Sequence, residues 1–136
     1  MSSHRPTCRS WGYEPCDCQQ VSFYVPTKLV SEANMREHWA IKNKRKKSQQ
    51  RAVELVWLAQ RIRVAPPVVV HLTRVGVRKL DSDNLAGSAK GVRDQIAKLI
   101  GVDDGDERKV RWEYSQRKGL PRQYGLEVRI QPMEAP

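Results

Sequence analysis

The residues of this chain best suited to chemistry are Asp81, Asp83, Asp103 and Asp104. They lie in a block from Asp81 to Glu107 that holds seven of the fifteen carboxylates of a 136-residue protein whose net charge is +10. Carboxylates this close repel one another and would repel a polyanion, so the arrangement makes best sense with a cation between them. Magnesium suits the residue types: it takes oxygen ligands, keeps several waters, and is commonly held by one or two carboxylates plus a substrate phosphate. In such a place it polarises a scissile phosphate, generates or orients hydroxide and stabilises the leaving oxygen. Manganese accepts the same oxygen donors and is the natural substitute, whereas the His and Cys that zinc prefers are absent from the block. The plainer alternative is that Asp81-Ser82-Asp83-Asn84 only caps a helix, with acids favoured by its dipole.

Charge outside the block supports the first reading. Residues 28 to 63 carry ten Lys or Arg against three acids, which leaves +7, and residues 108 to 129 carry seven against two, which leaves +5. The middle segment, 81 to 107, sets seven acids against Lys90, Arg93 and Lys98 and comes to −4. Two basic flanks around an acidic centre are the outline expected of an enzyme that grips nucleic-acid phosphate widely and cuts it locally. The cluster Lys42, Lys44, Arg45, Lys46 and Lys47 is the densest phosphate-binding candidate, and Arg78 and Lys79 stand immediately before the acids. Read without a ligand, the cluster is a solvated, solubilising face.

The elements that must position these residues are legible from periodicity. Residues 1 to 19 show none and form an N-terminal extension, leaving 20 to 132 as a single domain of ordinary size. Val21 to Val25 is a β-prone run closed by Pro26, followed by a loop with Ser31, Asn34 and Trp39. Lys42 to Arg61 is expected to be helical, with Ala52, Val53, Val56 and Ala59 at helical spacing. After Pro66-Pro67, Val68 to Val77 is apolar on both alternating sets over its first half, as a central strand would be, and His71 within it is expected to be a hydrogen-bonded core residue. Leu85, Ala89, Val92, Ile96 and Leu99 recur at steps of three and four, predicting one helix from Asn84 to Ile100 with Asp83 or Asn84 as its cap and Gly101 as its stop. Lys109 to Tyr114 and Tyr124 to Ile130 alternate like strands with one buried face. The sum is an α+β domain, a mixed or mostly antiparallel sheet of about four strands with helices on one face.

Two consequences follow for the acids. A straight helix of that length would span about 26 Å, so Asp103 or Asp104 meets Asp81 and Asp83 only if the helix is shorter or the chain folds back after Gly101. On a continuous helix, residues 83, 87, 90 and 94 share a stripe, so Lys90 leans back across Gly87 toward Asp83 and could neutralise charge in a phosphoryl transition state. Its plain role would be an i,i+4 ion pair with Asp94.

With these residues in place, the chain resembles the RusA family of Holliday junction resolvases. The resemblance rests on Asp81-Ser82-Asp83-Asn84-Leu85, reached from a Val-rich strand through Arg78-Lys79-Leu80, and on Gly101-Val102-Asp103-Asp104 at the far end of the following helix; it covers residues 20 to 131. It implies a homodimeric, Mg²⁺-dependent endonuclease that makes paired nicks in four-way DNA junctions. It also implies Asp81, Asp83 and one of Asp103 or Asp104 as metal ligands, with Asp104 favoured by position. Two positions depart from the pattern. The family's usual lysine falls on Gly87, which makes Lys90 its candidate replacement, and Lys79 stands where an aromatic wedge is found in other members.

The remaining signals bound the setting. No apolar run approaches the ~20 residues of a membrane span and the N-terminus lacks a signal-peptide pattern, so a cytoplasmic protein of a bacterial host or prophage is expected. The three cysteines, Cys8, Cys16 and Cys18, lie in the extension with His4. Together they make the four ligands of a tetrahedral zinc site, but the spacing is irregular and a tail with reduced thiols is the simpler reading. Two alternatives to a junction resolvase stay open: a broader nuclease of branched phage DNA, and a catalytically silent DNA-binding module.

Overall fold

A computed structural model of the chain describes residues 20–31 and 39–133. The chain forms β1 (Val21–Val25), α1 (Trp39–Ala59), β2 (Val68–Gly76), α2 (Ser82–Ser88), α3 (Lys90–Ile100), β3 (Val110–Lys118) and β4 (Gly125–Pro132). The four strands make one mixed sheet in the order β1-β4-β2-β3. β4 runs antiparallel to both β1 and β2, while β2 and β3 are parallel because the α2–α3 pair carries the chain back between them. The Val-rich β2 is thus an interior strand, as its two-sided apolar start implied.

Alternation decides which side is covered. Val68, Val70, Leu72 and Arg74 of β2 are buried, as are Phe23 and Val25 of β1 and Leu126, Val128 and Ile130 of β4. They meet Val53 and Trp57 of α1 and Val92 and Ile96 of α3 in one apolar cluster, with the Trp57 ring edge-on to Phe23 at 6.0 Å. The other sheet face is open and polar, carrying Ser22, Tyr24, Thr73, Ser115 and Arg129. His71 lies on that face, not in the core: its Nδ1 is 2.8 Å from a carboxylate oxygen of Glu113 on the neighbouring strand.

Three expectations shift. α1 begins at Trp39, which the sequence had left in a loop, and ends at Ala59. β3 and β4 extend past the anticipated residues, to Lys118 and Pro132. The single helix from Asn84 to Ile100 is instead two, interrupted at Ala89. The Ser88 hydroxyl donates to the Leu85 carbonyl at 2.7 Å and so takes the acceptor that the Ala89 amide would use; that amide turns to Ala86 at 3.2 Å. A Gly-Ser pair with a serine bonding back onto the helix is a recognised cause of such a bend. α3 ends where expected: Gly101 adopts φ 90°, and the Gly101 and Val102 amides both close on the Ala97 carbonyl. Among the described residues no helix is long and apolar enough to cross a membrane.

Candidate functional site

Asp81 is the N-cap of α2, two or three residues earlier than sequence spacing suggested. Its two carboxylate oxygens accept from the Asn84 backbone amide at 2.9 Å and the Asn84 side-chain amide at 3.1 Å. Asp83, in the first turn of α2, is exposed, and no hydrogen bond or ion pair ties its carboxylate among the described residues. Both acids therefore face solvent at the end of the segment leaving β2, on a helix terminus whose dipole favours negative charge.

That segment, residues 77 to 80, has no regular structure, yet side chains from two strands hold it. Gln116 of β3 binds Leu80 twice, accepting from its amide at 3.0 Å and donating to its carbonyl at 2.6 Å. Arg74 of β2, 5 % exposed, donates to the Arg78 carbonyl at 2.7 Å and to the Leu29 carbonyl at 3.0 Å. Burial lowers the pKa of its guanidinium, with Tyr124 opposing the shift. Arg78 and Lys79 themselves are exposed beside the acids.

The second acidic group is held elsewhere on the same strand. After Gly101 the chain does fold back, bringing the Asp104 carboxylate 3.2 Å from Arg93 Nε and its carbonyl 3.0 Å from Arg93 Nη2. Trp112 Nε1 donates to the same carbonyl at 2.9 Å, and the Arg93 guanidinium lies over the Trp112 ring, 5.2 Å from its centroid. Asp103 turns inward on its own loop, accepting from the Gly105 amide at 3.0 Å. The inner face of β3 thus carries Trp112 under Asp104, Tyr114 bonded to Arg93, and Gln116 on Leu80. The anchors Trp112 and Gln116 are four residues apart, about 13 Å along a strand. Among the described residues no three His, Cys, Asp or Glu side chains form a group able to hold a metal ion.

The donor chemistry of Asp81 and Asp83 nonetheless fits magnesium: both carboxylates are exposed, and one or two carboxylates completed by waters and a phosphate are a usual protein share for that ion. Asp104 is differently placed, since its charge is already matched by Arg93.

Lys90 is the first residue of α3 and is exposed. The interruption at Ala89 falls between Asp83 and Lys90, so the two stand on separate helices and not on one continuous stripe. The plain alternative, a Lys90–Asp94 pair, is not formed: Asp94 lies 3.7 Å from Lys46 of α1 instead. Lys44, Lys46 and Lys47 are exposed along α1, with Lys42 and Arg45 half-buried. Lys46 therefore has two roles open to it, helix contact and phosphate contact. His4, Cys8, Cys16 and Cys18 lie outside the described residues.

Arg74, Arg93 and Gln116 escaped the sequence reading. Arg74 had a signal: it occupies the inward position after Val68, Val70 and Leu72, where a cation must be bonded if the strand is buried. Trp112, Tyr114 and Gln116 fall on one face by alternation, but their partners, the Asp104 carbonyl, Arg93 of α3 and the Leu80 main chain, lie on other segments and leave no periodic trace. No protein-family model matches the chain, and no curated protein matches it closely enough to count.

Proposed function

We propose that the chain is a divalent-metal-dependent endonuclease acting on branched DNA, in the manner of the RusA resolvases it resembles. The observation that carries this reading is the exposed pair Asp81 and Asp83 at the end of β2, in a chain of net charge +10 whose basic α1 offers three exposed lysines. An acidic pair gains nothing by facing a polyanion unless a cation joins them.

In this reading Asp81 and Asp83 hold a magnesium ion, which when bound polarises the scissile phosphate and supplies hydroxide. Lys44, Lys46 and Lys47, with Arg78 and Lys79, hold flanking phosphates and set the position of the DNA. Two copies related by a two-fold axis would present two such centres, the arrangement that paired nicks in a four-way junction require.

The test is cleavage of end-labelled four-way junction, flap and plain duplex, with Mg²⁺ or with EDTA. Symmetric nicks in the junction, dependent on Mg²⁺, are expected; cleavage of all branched forms alike would point to the broader nuclease. No cleavage of any substrate would overturn the reading in favour of a DNA-binding module without catalysis. The Arg93–Asp104 ion pair speaks for that second reading, since it takes up one of the acids a three-carboxylate centre would use.

A further inference from the structure

Polar side chains from three separate elements hold main-chain groups of two irregular segments. Gln49 of α1, 5 % exposed, donates to the Lys28 carbonyl at 3.0 Å. Arg74 of β2 bridges the next residue's carbonyl, Leu29, to that of Arg78. Gln116 of β3 then grips Leu80 through both its amide groups. One continuous brace thus runs from the basic helix, through the chain that follows β1, to the residue before Asp81.

Burying an arginine is costly unless its donors are satisfied, and an apolar residue would fill an inward-facing strand position more favourably. Here no carboxylate pairs with Arg74 among the described residues; its recorded bonds go to two carbonyls of loops. The strand makes room for it as well: a Cβ on Gly76 would fall 2.7 Å from Arg74 Nη1, so the guanidinium folds back over the strand end where a larger residue would make it shift. Gln116 has the same character. A primary amide bonded in both senses to one residue's amide and carbonyl mimics a strand partner for Leu80, where the chain has already left the sheet.

We propose that Arg74 and Gln116 are positioning residues whose hydrogen bonds to Arg78 and Leu80 fix the start of α2, so that Asp81 and Asp83 are presented together and in register with the basic helix. Neither side chain touches substrate; each acts through the backbone. The device belongs to the kind of supporting shell that holds ligand carboxylates at a preset geometry. Its functional consequence rests on the reading of Asp81 and Asp83 as metal ligands, but its structural content does not.

The test separates the two. Hydrogen exchange is read residue by residue by NMR on the free full-length protein, for wild type, Gln116→Ala and Arg74→Lys, without metal or DNA. The reporters are the Asn84 and Leu85 amides, which bond to the Asp81 side chain and carbonyl and which neither Arg74 nor Gln116 contacts. Gln116→Ala should speed exchange at both reporters by about tenfold, the weight of one net hydrogen bond, while amides of β2 and α3 keep their rates. Arg74→Lys, which keeps the charge and loses the fork, should shift the same reporters in the same direction. Wild-type rates at Asn84 and Leu85 in both variants would overturn the proposal, as would faster exchange spread evenly over the whole domain.

A Mn²⁺ titration followed by paramagnetic broadening of the same amides completes it. Wild type should bind and Gln116→Ala should bind about tenfold more weakly, the same single-bond weight. Wild type without Mn²⁺ binding would remove the metal reading while leaving the exchange result to decide the brace. Equal affinities in wild type and variant would remove the brace's role in metal binding.

Discussion

Arg93 Nε lies 3.2 Å from the Asp104 carboxylate, while its two terminal nitrogens reach the Tyr114 hydroxyl and the Asp104 carbonyl, each at 3.0 Å. One side chain in the first turns of α3 thus fixes a loop eleven residues further on and ties both to the inner face of β3. The pair is about one-third exposed, so most of its worth comes from the hydrogen bonds and little from Coulomb attraction. Arg93→Ala should lower stability by about 1–3 kcal/mol, and Arg93→Lys by less, in urea unfolding followed by tryptophan emission. Equal stability of Arg93→Ala and wild type would mean that the Asp104 loop is held by Trp112 alone.

Asp81 and Asp83 should separate by stability. Asp81→Ala removes an N-cap and should cost about 1 kcal/mol, whereas Asp83→Ala breaks no bond seen among the described residues and should leave the unfolding midpoint in place. In the functional assay Asp83→Asn should abolish cleavage and leave junction binding intact or tighter, because a ligand and a negative charge facing phosphate are both lost. Cleavage by Asp83→Asn at the wild-type rate in Mg²⁺ would sink the assignment of the metal to this pair.

Binding to four-way junction DNA should fall steeply with salt. Each lysine that neutralises a phosphate contributes about 0.9 to the slope of log K against log[salt], so Lys44→Gln and Lys47→Gln should each flatten the slope by about that amount. Lys46 is spoken for in part by Asp94, and Lys46→Gln should flatten it less. Identical slopes for wild type and the Lys44, Lys47 double variant would return α1 to a solubilising role.

Lys90 and Asp94 should behave independently. Asp94→Ala breaks the contact with Lys46 and should cost a few tenths of a kcal/mol, about the worth of a surface pair, with no change in rate. Lys90→Ala should leave stability untouched and, if Lys90 supplies the cation missing at Gly87, slow single-turnover cleavage by about 10²-fold. A wild-type rate would show that no residue at the start of α3 takes that role.

Much of the fold was written in local pattern. β-Branched and aromatic runs bounded by proline placed β1, to the residue, and β2, while alternation placed β3 and β4, because one buried face imposes a period of two that survives in a single sequence. The spacing of Val92, Ile96 and Leu99 placed α3, and Gly101 ended it because the left-handed turn there suits a residue without a side chain. The clustering of Asp81, Asp83, Asp103 and Asp104 in a basic chain was likewise visible, since charge density needs no folding to be counted.

What only tertiary structure decided was who meets whom. The break at Ala89 came from a hydroxyl of Ser88 competing for one carbonyl, an interaction weaker than the apolar stripe that runs straight through it and so invisible in periodicity. His71 was expected inside because β2 is Val-rich, but strand order gave it the open face and Glu113 as a partner. Asp94 paired across to α1 and not along its own helix, and Asp104 met Arg93 and not Asp81. The Ser88 bond is local, but the other contacts join segments apart in sequence or are carried by a loop, and the geometry of a loop is set by the side chains that reach it from elsewhere. For this protein those are Arg74 and Gln116, whose bonds to Arg78 and Leu80 carry no repeat or spacing that the sequence alone could reveal.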